Sequence, residues 1–386
     1  MLVRLCLFLL TLLAIAACSG SPSGVVDSAP VSSAPAATSP AATPTVTAQN
    51  PPQVANPIRT TPLSPQPIRI AIANLPQPFA TNSASKSPNV IGIPANPVLQ
   101  VPQGFSVNVY ADNLDRPRWL ALTPAGEVLV TETRQNRIRL LSDRNSDGAA
   151  DVNQVFATAQ NGLNIPFGMA FAGDSFFLGN TAEVRRYPYQ SGQAQLQGSG
   201  TKIADLPGGG YNQHWTRNVI AAPNGQQIFV SVGSESNVDR EPLPRASIQV
   251  MNLDGSNQQT FAYGLRNPVG LAVQPQTGEL YTTVNERDGL GDDLVPDYFT
   301  RVRAGEFFGW PYAYLTPNKL DPRQVQNNRS VNPNLAAQTR SPDVLFQAHS
   351  AALGVQFYEG ETFPDRYRNG AFVAFRGSWN RNQGTG

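Results

Sequence analysis

The chain has 386 residues and a formal net charge of +1 at pH 7, from 28 lysines and arginines against 27 aspartates and glutamates. This balance excludes the broad basic surface that nucleic-acid-binding domains present. Charged residues are only 14% of the total, whereas glycine and proline number 32 and 34. Low charge with many turn-forming residues is typical of an all-β protein, and the length allows one large domain with additional segments.

The first 17 residues have the pattern of a bacterial secretion signal. Arg4 supplies a positive charge, and the apolar run Leu5–Ala17 follows, which at 13 residues is too short to span a bilayer. The run ends in Ile-Ala-Ala-Cys, which resembles a lipobox in which Cys18 is diacylated and becomes the new N-terminus. The alternative is cleavage by an ordinary signal peptidase near the same alanines. Ser19 resembles the residue that sorts lipoproteins to the outer membrane, so we expect a periplasmic domain anchored by lipid at Cys18.

Residues 18–65 are predicted to be a disordered tether. They are rich in Pro, Ala, Ser and Thr, a composition that buries too little apolar surface to offset its ordering entropy. Residues 66–100 form a transitional extension, in which the stretch PIRIAIANL predicts a strand. Because Cys6 leaves with the signal and Cys18 carries lipid, the folded region has neither a disulfide nor a cysteine-based metal site.

From residue 101 onward, short apolar runs alternate with turns in a repeated frame. Each repeat consists of an apolar strand, a turn with Gly or Pro and a second apolar strand, and the repeats begin at Arg116, Ile165, Thr216, Arg266 and Ser350. The period is close to 50 residues, since Pro117 to Pro166 is 49 and Gly225 to Gly278 is 53. A period of this length made of strands predicts an all-β propeller over residues 101–386, with a β-sandwich of chance spacing as the alternative.

A long insertion, residues 309–343, separates the fourth repeat from the fifth. Long loops of propellers lie on one face and often carry function. The sequence ends in a turn signal shortly after the fifth repeat. We therefore expect a C-terminally incomplete propeller with exposed apolar blade faces, and a five-bladed ring closed by residues 66–110 is the alternative.

The segment DRNSDGAAD, residues 143–151, has the spacing of a calcium loop. Its oxygen-bearing side chains alternate along the chain and surround a glycine, which permits a tight wrap around a cation that takes six to eight oxygen ligands. The predicted side-chain ligands are Asp143, Asn145, Asp147 and Asp151, around Gly148. Such an ion is expected to be structural, and the alternative is an acidic, solvated hairpin turn.

Three further segments place polar residues where predicted strands begin. His214, in NQHWTRN, is interpreted either as a structural histidine at a strand end or as a general base at the mouth of a cavity. Arg266 and Asn267, in GLRNPVGL, precede a buried strand, where the arginine either pairs with a carboxylate or faces an anionic ligand. His349, in QAHSAALG, starts a later repeat and either faces the channel or makes a strand-end hydrogen bond.

The segment NERDGLGDD, residues 285–293, follows a predicted strand and contains four acids and two glycines. Its glycines allow backbone carbonyls to approach a ligand or a cation. The alternative is a charged surface loop.

Five motifs occur in the order HWTRN, GLRNPVGL, NERDGLGDD, FFGWPYAY and GSWNR. Together they resemble the glucose/sorbosone dehydrogenase family, in particular its L-sorbosone-dehydrogenase-like branch, from about Pro102 to the C-terminus. The resemblance implies a six-bladed propeller that oxidises a sugar with pyrroloquinoline quinone (PQQ) and Ca²⁺, and that passes electrons to an acceptor not yet identified.

The resemblance also assigns roles to individual residues. It implies that His214 is the general base, that Arg266 and Asn267 contact quinone and substrate, and that Arg381 contacts cofactor carboxylates. The loop that offers backbone carbonyls to the cofactor's calcium falls on Asp288 and Gly289. The glucose-oxidising branch has a Gly-Pro pair there, so this departure argues against glucose itself as the substrate.

These assignments agree with elementary chemistry. The cofactor is an ortho-quinone with three carboxylates, so its site needs cations, and an imidazole with a pKa of about 6.5 suits proton removal from a sugar hydroxyl. Two other classes of function stay open: a calcium-dependent lactonase-type propeller, with Asp288, Asp292 and Asp293 as metal ligands, and a cofactor-free glycan-binding propeller.

Overall fold

The computed structural model of the chain describes residues 55–208 and 214–385. The chain divides into two units, residues 1–50 and 51–386, and the described residues all belong to the second. The signal sequence, Cys18 and most of the tether therefore lie outside the described residues. None of the helices in the described ranges is both long enough and apolar enough to cross a membrane.

Antiparallel sheets dominate the second unit, as the all-β prediction requires. A parallel pair comes first, β1 (Arg59–Leu63) with β2 (Val98–Pro102). Four antiparallel four-stranded sheets, here called blades I to IV, then follow in chain order. Blade I is β3 (Leu120–Leu122), β4 (Val128–Glu132), β5 (Arg137–Ser142) and β6 (Val152–Ala157), and blade II is β7 (Met169–Ala172), β8 (Ser175–Asn180), β9 (Glu183–Pro188) and β10 (Thr201–Asp205). Blade III is β11 (Val219–Ala221), β12 (Gln227–Val232), β13 (Ser247–Asn252) and β14 (Gln259–Tyr263), and blade IV is β15 (Pro268–Val273), β16 (Leu280–Val284), β17 (Pro296–Val302) and β22 (Val344–Ala348).

The predicted insertion lies between the third and fourth strands of blade IV. It contains β18 (Ala313–Tyr314), β19 (Thr316–Leu320), β20 (Val325–Gln326), β21 (Arg329–Ser330) and the short helix α1 (Pro333–Ala336). A two-stranded sheet, β23 (Ala352–Phe357) with β24 (Ala371–Phe375), follows blade IV. Short 3-10 helices occur at Ile72–Asn74, Thr133–Gln135, Ala159–Asn161, Pro322–Gln324 and Asp365–Tyr367.

The repeated frame of the sequence corresponds to the first hairpin of each blade. The turn between first and second strands contains a glycine with positive φ in all four blades, at Gly126, Gly173, Gly225 and Gly278. Glycine adopts this left-handed conformation without the steric cost that other residues meet. The propeller prediction is therefore confirmed, and the period reflects one four-stranded blade per repeat.

The first strands of successive sheets lie side by side. Strands β3, β7, β11, β15 and β23 contact one another in that order. Residues within or just before these strands form one apolar cluster, which consists of Trp119, Ile165, Phe167, Trp215, Val269 and Leu353. The rings of Trp119 and Phe167 are 4.8 Å apart, and those of Phe167 and Trp215 are 5.5 Å apart. Aromatic side chains thus fill the place where the first strands converge.

The described residues contain four complete blades and the two-stranded β23–β24 sheet, so the six-blade count stays a prediction. Residues 66–110 do not extend the last sheet, because their one strand, β2, pairs with β1. Phe105 nevertheless packs on that sheet's turn, 4.4 Å from the ring of Phe363. Leu120 and Leu122 of blade I are 64% and 68% exposed, and a C-terminally incomplete propeller stays a prediction.

The strand predicted for PIRIAIANL is wrong. The segment instead forms the 3-10 helix Ile72–Asn74, and Ile72 and Leu75 pack against a core cluster formed by blades III and IV and the insertion. Side chains three residues apart eclipse one another in a 3-10 turn. Two apolar residues at this spacing can therefore cover a core from outside the sheets without a partner strand.

Candidate active site

A cavity of about 890 Å³ opens at one end of the propeller. In an up-and-down blade, the start of the first strand and the loop between the second and third strands lie at the same end. The cavity is lined from these two places. The strand starts contribute Arg116, Pro117, Arg118, His214, Trp215, Thr216, Arg266, Asn267, Val269, His349, Ala351 and Leu353. Second-strand ends and the loops beyond them contribute Arg134, Asn237, Asn285, Glu286, Asp288, Arg376, Trp379 and Asn380, and Asp297 of β17 completes the lining.

His214 is held as a neutral imidazole with a defined tautomer. Its Nδ1 lies 2.9 Å from the carbonyl oxygen of Ser234 and 3.0 Å from that residue's Oγ. A carbonyl oxygen only accepts, so Nδ1 carries the proton and Nε2 keeps its lone pair. Burial, reinforced by the positive charge of Arg266, lowers the pKa of His214 to about 3. The residue therefore stays in the form that can accept a proton.

Arg266 is buried and fully hydrogen-bonded. Its Nε and one terminal nitrogen donate to the carbonyl and side-chain oxygens of Asn237. The other terminal nitrogen donates to the carbonyls of Asn285 and Glu286 in the segment 285–293, here called the acid-rich loop. It also forms an ion pair of 3.0 Å with Asp288. The carboxylate-pairing interpretation is thus confirmed. A direct contact between Arg266 and a cofactor stays a prediction, since its N–H groups are already occupied.

Asn267 has a buried oxygen without a partner among the described residues. Its Nδ2 makes a long contact of 3.4 Å with Asn285, while Oδ1 has no hydrogen bond. Gly233 makes this packing possible, because a Cβ there would lie 2.5 Å from Asn267 Oδ1 and 2.6 Å from the Cβ of His214. An orphaned acceptor beside the imidazole is the kind of group that a bound ligand satisfies.

The acid-rich loop is joined through side chains to the C-terminal motif, here GSWNR together with the Asn382 that follows it (residues 377–382). Three consecutive residues of the C-terminal motif, Asn380, Arg381 and Asn382, bind the acids Asp288, Asp293 and Asp292 in turn. The Arg381–Asp293 ion pair is 2.6 Å long, and neither residue lines the cavity. Arg381 therefore stabilises the acid-rich loop and does not face the cavity. The C-terminal arginine that lines the cavity is Arg376. Asp292 and Asp293 also lie outside the lining, unlike a metal-ligand set for a lactonase.

The backbone carbonyl of Asp288 is already engaged. It accepts hydrogen bonds of 2.9 Å from Asn237 Nδ2 and 2.8 Å from Arg323 of the insertion. A cation in contact with this oxygen would have to displace or share with a guanidinium. In the described part of the chain, no group of three or more His, Cys, Asp or Glu side chains is arranged to hold a metal ion. The calcium role of the Asp288 and Gly289 carbonyls stays a prediction.

His349 is a buried member of the same network, and its environment is opposite to that of His214. Its Nε2 lies 3.0 Å from the carbonyl oxygen of Gly291, and its Nδ1 lies 3.5 Å from Asp288. Burial opposes the charged form, but these two acceptors raise the pKa of His349. Its ring contacts the acid-rich loop as well as facing the cavity.

Asp297 fastens the last sheet to blade IV. One carboxylate oxygen accepts the N–H of Glu286 and the other that of Ala351, each at 2.7 Å. Burial raises the pKa of Asp297 to about 7, although both hydrogen bonds favour its charged form. No role was predicted for this residue from the sequence.

A buried ion-pair network under the cavity is another feature that the motifs did not predict. Arg287 is fully buried between Glu286, at 2.8 Å, and Asp321, at 3.3 Å, and also donates to the carbonyls of Pro311 and Ala313. It thereby ties the acid-rich loop to the insertion. The pattern Asp-Pro-Arg at 321–323 was its one sequence signal, since Asp321 also caps the 3-10 turn that follows.

Four further arginines surround the cavity mouth. Arg118 stacks over Trp215 at 5.4 Å, and Arg134 lies on the neighbouring loop. The side chains of Arg116 and Arg376 line the cavity, and no described residue forms a hydrogen bond or an ion pair with them. Such guanidinium groups match the planar geometry of carboxylates.

The predicted calcium loop lies elsewhere. None of its four candidate ligands lines the cavity. Their oxygens converge on the loop's own backbone: Asp143 accepts the N–H of Gly148 at 2.8 Å, and Asp147 that of Ala149 at 2.9 Å. Asn145 donates to Asp147 at 3.1 Å, and Asp151 accepts the N–H of Arg144 at 2.8 Å. The loop is compact, and calcium at Asp143, Asn145, Asp147 and Asp151 stays a prediction.

Comparison with known proteins finds distant relatives in bacteria, one of which is named as a sugar dehydrogenase. Aldose sugar dehydrogenase YliI of Escherichia coli is 22% identical over 293 residues, covering 68% of this chain and 76% of that protein. An uncharacterised protein of Borreliella burgdorferi is 26% identical, covering 75% of this chain and 74% of its own length. The resemblance predicted from the five motifs is confirmed by these relatives and by the structures below.

Two solved structures share the fold. The holo form of the pyranose dehydrogenase PQQ domain of Coprinopsis cinerea has a TM-score of 0.57 at 19% identity, covering 72% of this chain and 75% of that one. The calcium structure of a Trichoderma reesei family AA12 enzyme has a TM-score of 0.59 at 16% identity, covering 81% and 82%. The sequence model of the TrAA12-like family matches residues 99–297 and 301–386. The chain belongs to the TrAA12-like family.

Proposed function

We propose that the protein is a PQQ-dependent dehydrogenase that oxidises an aldose or a sorbosone-like sugar aldehyde. The observation that carries the proposal is His214, which presents an unprotonated Nε2 at an arginine-rich cavity. The names of the relatives support it, since they include an aldose sugar dehydrogenase and a PQQ domain of a pyranose dehydrogenase. The quinone, when bound, takes up the hydride that leaves the sugar carbon.

His214 acts as the general base in this proposal. Its Nε2 accepts the proton of the hydroxyl on the reacting carbon, which is the hydroxyl of the aldose or of the hydrated aldehyde. The hydride leaves the carbon that bears this hydroxyl, so the product gains a C=O bond. The Ser234 carbonyl stabilises the imidazolium that forms, because Nδ1–H already donates to it. The low pKa of His214 means that the proton is returned readily to solvent once the product has left.

The residues present fit a polyanionic quinone. Arg116 and Arg376 have side chains without partners among the described residues at the cavity, and Asn267 Oδ1 lacks a hydrogen bond. Arg266 has a supporting role in this proposal: it holds Asp288 in place through their ion pair and does not itself contact the quinone. The calcium structure of the Trichoderma enzyme supports a cofactor calcium, for which Gly289 is the candidate carbonyl and Asp288 a candidate once Arg323 moves.

Titration of the purified chain with PQQ in calcium, followed by absorbance, tests the proposal. We expect saturable binding, and dye reduction by sugar that requires PQQ. Arg116→Gln and Arg376→Gln should each weaken PQQ binding by about tenfold or more, because a charged hydrogen bond is lost. Arg340→Gln is the matched control, since Arg340 is exposed and is not part of the cavity lining. Absence of PQQ binding by the parent chain, or equal affinity in all three variants, would refute the proposal.

We further propose that lipid at Cys18 holds this domain on the outer membrane, facing the periplasm. The Ile-Ala-Ala-Cys sequence and the Pro/Ala/Ser-rich residues after it support this location. Cell fractionation of Cys18→Ala tests it. The variant should appear in the soluble periplasmic fraction, and membrane association that survives the change would point to another anchor.

A further inference from the structure

The N-terminal extension reaches the acid-rich loop of the cavity. After the 3-10 helix Ile72–Asn74, the chain runs across residues 290–292. The N–H of Phe79 donates to the carbonyl of Leu290 at 2.8 Å. The hydroxyl of Thr81 accepts the N–H of Asp292, also at 2.8 Å. Two hydrogen bonds therefore fix the loop from outside the propeller, one at Leu290 and one at Asp292.

The carbonyl of the peptide group between Gly291 and Asp292 is bound on the cavity side by His349. The carbonyl of Gly291 receives the N–H of His349 Nε2 at 3.0 Å. Gly291 has a φ of +113°, a conformation that other residues avoid, and a Cβ there would lie 2.9 Å from the Thr81 hydroxyl. The loop is thus hydrogen-bonded to Thr81 on its outer side and to His349 on its inner side.

The extension also contacts the C-terminal motif. The N–H of Lys86 donates to the carbonyl of Trp379 at 2.7 Å, and Lys86 Nζ to the carbonyl of Asn382. Trp379 lines the cavity, and Asn382 binds Asp292. Residues 79–86 therefore join the two segments that form this side of the cavity, neither of which is fixed by a strand at that point.

We propose that Thr81 is a positioning residue of the active site: it fixes the loop Asp288–Asp293 so that Asp288 and His349 keep their places at the cavity. The role in cofactor binding rests on the proposed function. Thr81 is exposed and has no part in a core cluster, so its removal should leave the fold intact. The N-terminal extension is then part of the site rather than a simple connection between tether and propeller.

Three variants of the full chain test the inference. Thr81→Val removes the acceptor at nearly constant shape, Thr81→Ser keeps it, and Thr61→Val makes the same change on β1, away from the cavity. Hydrogen exchange of the Asp292 amide should accelerate about two- to tenfold in Thr81→Val alone. The PQQ dissociation constant should rise about three- to tenfold in that variant, and Thr81→Ser should restore both values, with an unchanged melting temperature throughout.

Each outcome separates the inference from the proposed function. Unchanged amide exchange in Thr81→Val would overturn the positioning role, whatever the cofactor does. Faster exchange with parental PQQ affinity would overturn the link between the loop and the cofactor site. If the parent chain bound no PQQ, the proposed function would fail, and the exchange measurement would still decide whether Thr81 fixes the loop.

Discussion

The Nδ1 of His214 lies 2.9 Å from the carbonyl oxygen of Ser234, and this single contact determines which ring nitrogen faces the cavity as a base. Replacement of His214 by alanine should lower turnover by about 10²–10⁴, because the hydroxyl proton then has no acceptor. PQQ affinity should stay near the parental value. Ser234→Ala keeps the backbone carbonyl and is the matched control, with a much smaller effect expected. Parental turnover in His214→Ala would remove the residue from the mechanism.

The two histidines of the chain should titrate in opposite directions. The pKa of His214 is lowered to about 3, whereas that of His349 is raised by Asp288 and Gly291. In NMR spectra of chain labelled at histidine, one imidazole should therefore remain neutral down to about pH 4, and the other should become protonated above the usual value near 6.5. The variant His214→Gln identifies the first signal, which should be the one that it lacks.

The same shift has a consequence for stability. Unfolded His214 takes up a proton below about pH 6.5, whereas the folded residue does so only near pH 3, so acid favours the unfolded chain over this window. The stability of the parent relative to His214→Gln should fall by up to about 1.4 kcal/mol per pH unit as the pH drops from 6.5 towards 3. Two imidazoles with ordinary pKa values, or a pH-independent stability difference, would contradict the assigned environment.

Gly233 should be sensitive to a single methyl group. Alanine there would place its Cβ 2.5 Å from Asn267 Oδ1 and 2.6 Å from the Cβ of His214, so both side chains must shift. We expect turnover to drop by at least about tenfold, since misplacement of catalytic groups by about 1 Å has large effects. Gly92→Ala is the control, because the methyl group that it adds would have no neighbouring atom within 4 Å. Equal kinetics for the two variants would show that the packing at Gly233 is not required.

The Arg287 network should contribute to stability through its buried charges. In Asp321→Asn, Arg287 keeps Glu286 but loses its second carboxylate at a site without solvent access. Breaking a buried pair typically lowers the free energy of unfolding by about 3–5 kcal/mol. The exposed pair Asp365–Arg368 supplies the control Asp365→Asn, for which about 0–1 kcal/mol is expected. Similar denaturant midpoints for both variants would contradict this account.

The repeat predicts much of the site, because it locates the starts of the first strands. His214, Arg266 and His349 all occupy that position in their repeats, and in a propeller these positions meet at one end. The cavity arginines Arg134 and Arg376 were not predicted, since the loops that bear them share no motif.

Pairing between distant segments was also beyond sequence reasoning. Arg381 resembled a cofactor ligand, but Asp293 lies 2.6 Å away and neutralises it. The Asp288 carbonyl resembled a calcium ligand, but Arg323 of the insertion reaches it at 2.8 Å. Residue type gives the chemistry of such groups. Whether a group is still available to bind a ligand depends on which loops fold against it.

The calcium loop supplies the last prediction. Asp147 accepts the N–H of Ala149 at 2.9 Å and receives Asn145 Nδ2 at 3.1 Å, so part of its role is to hold the loop even without an ion. If calcium binds, the parent chain should melt at a higher temperature in calcium than in a chelator, because ligand binding stabilises the folded state alone. Asp147→Ala should lose this difference and retain its PQQ affinity, since the loop does not line the cavity. Asp112→Ala, at an exposed aspartate outside the loop, should behave like the parent. A melting temperature that is the same in calcium and in chelator would show that these side chains form only a hydrogen-bonded turn.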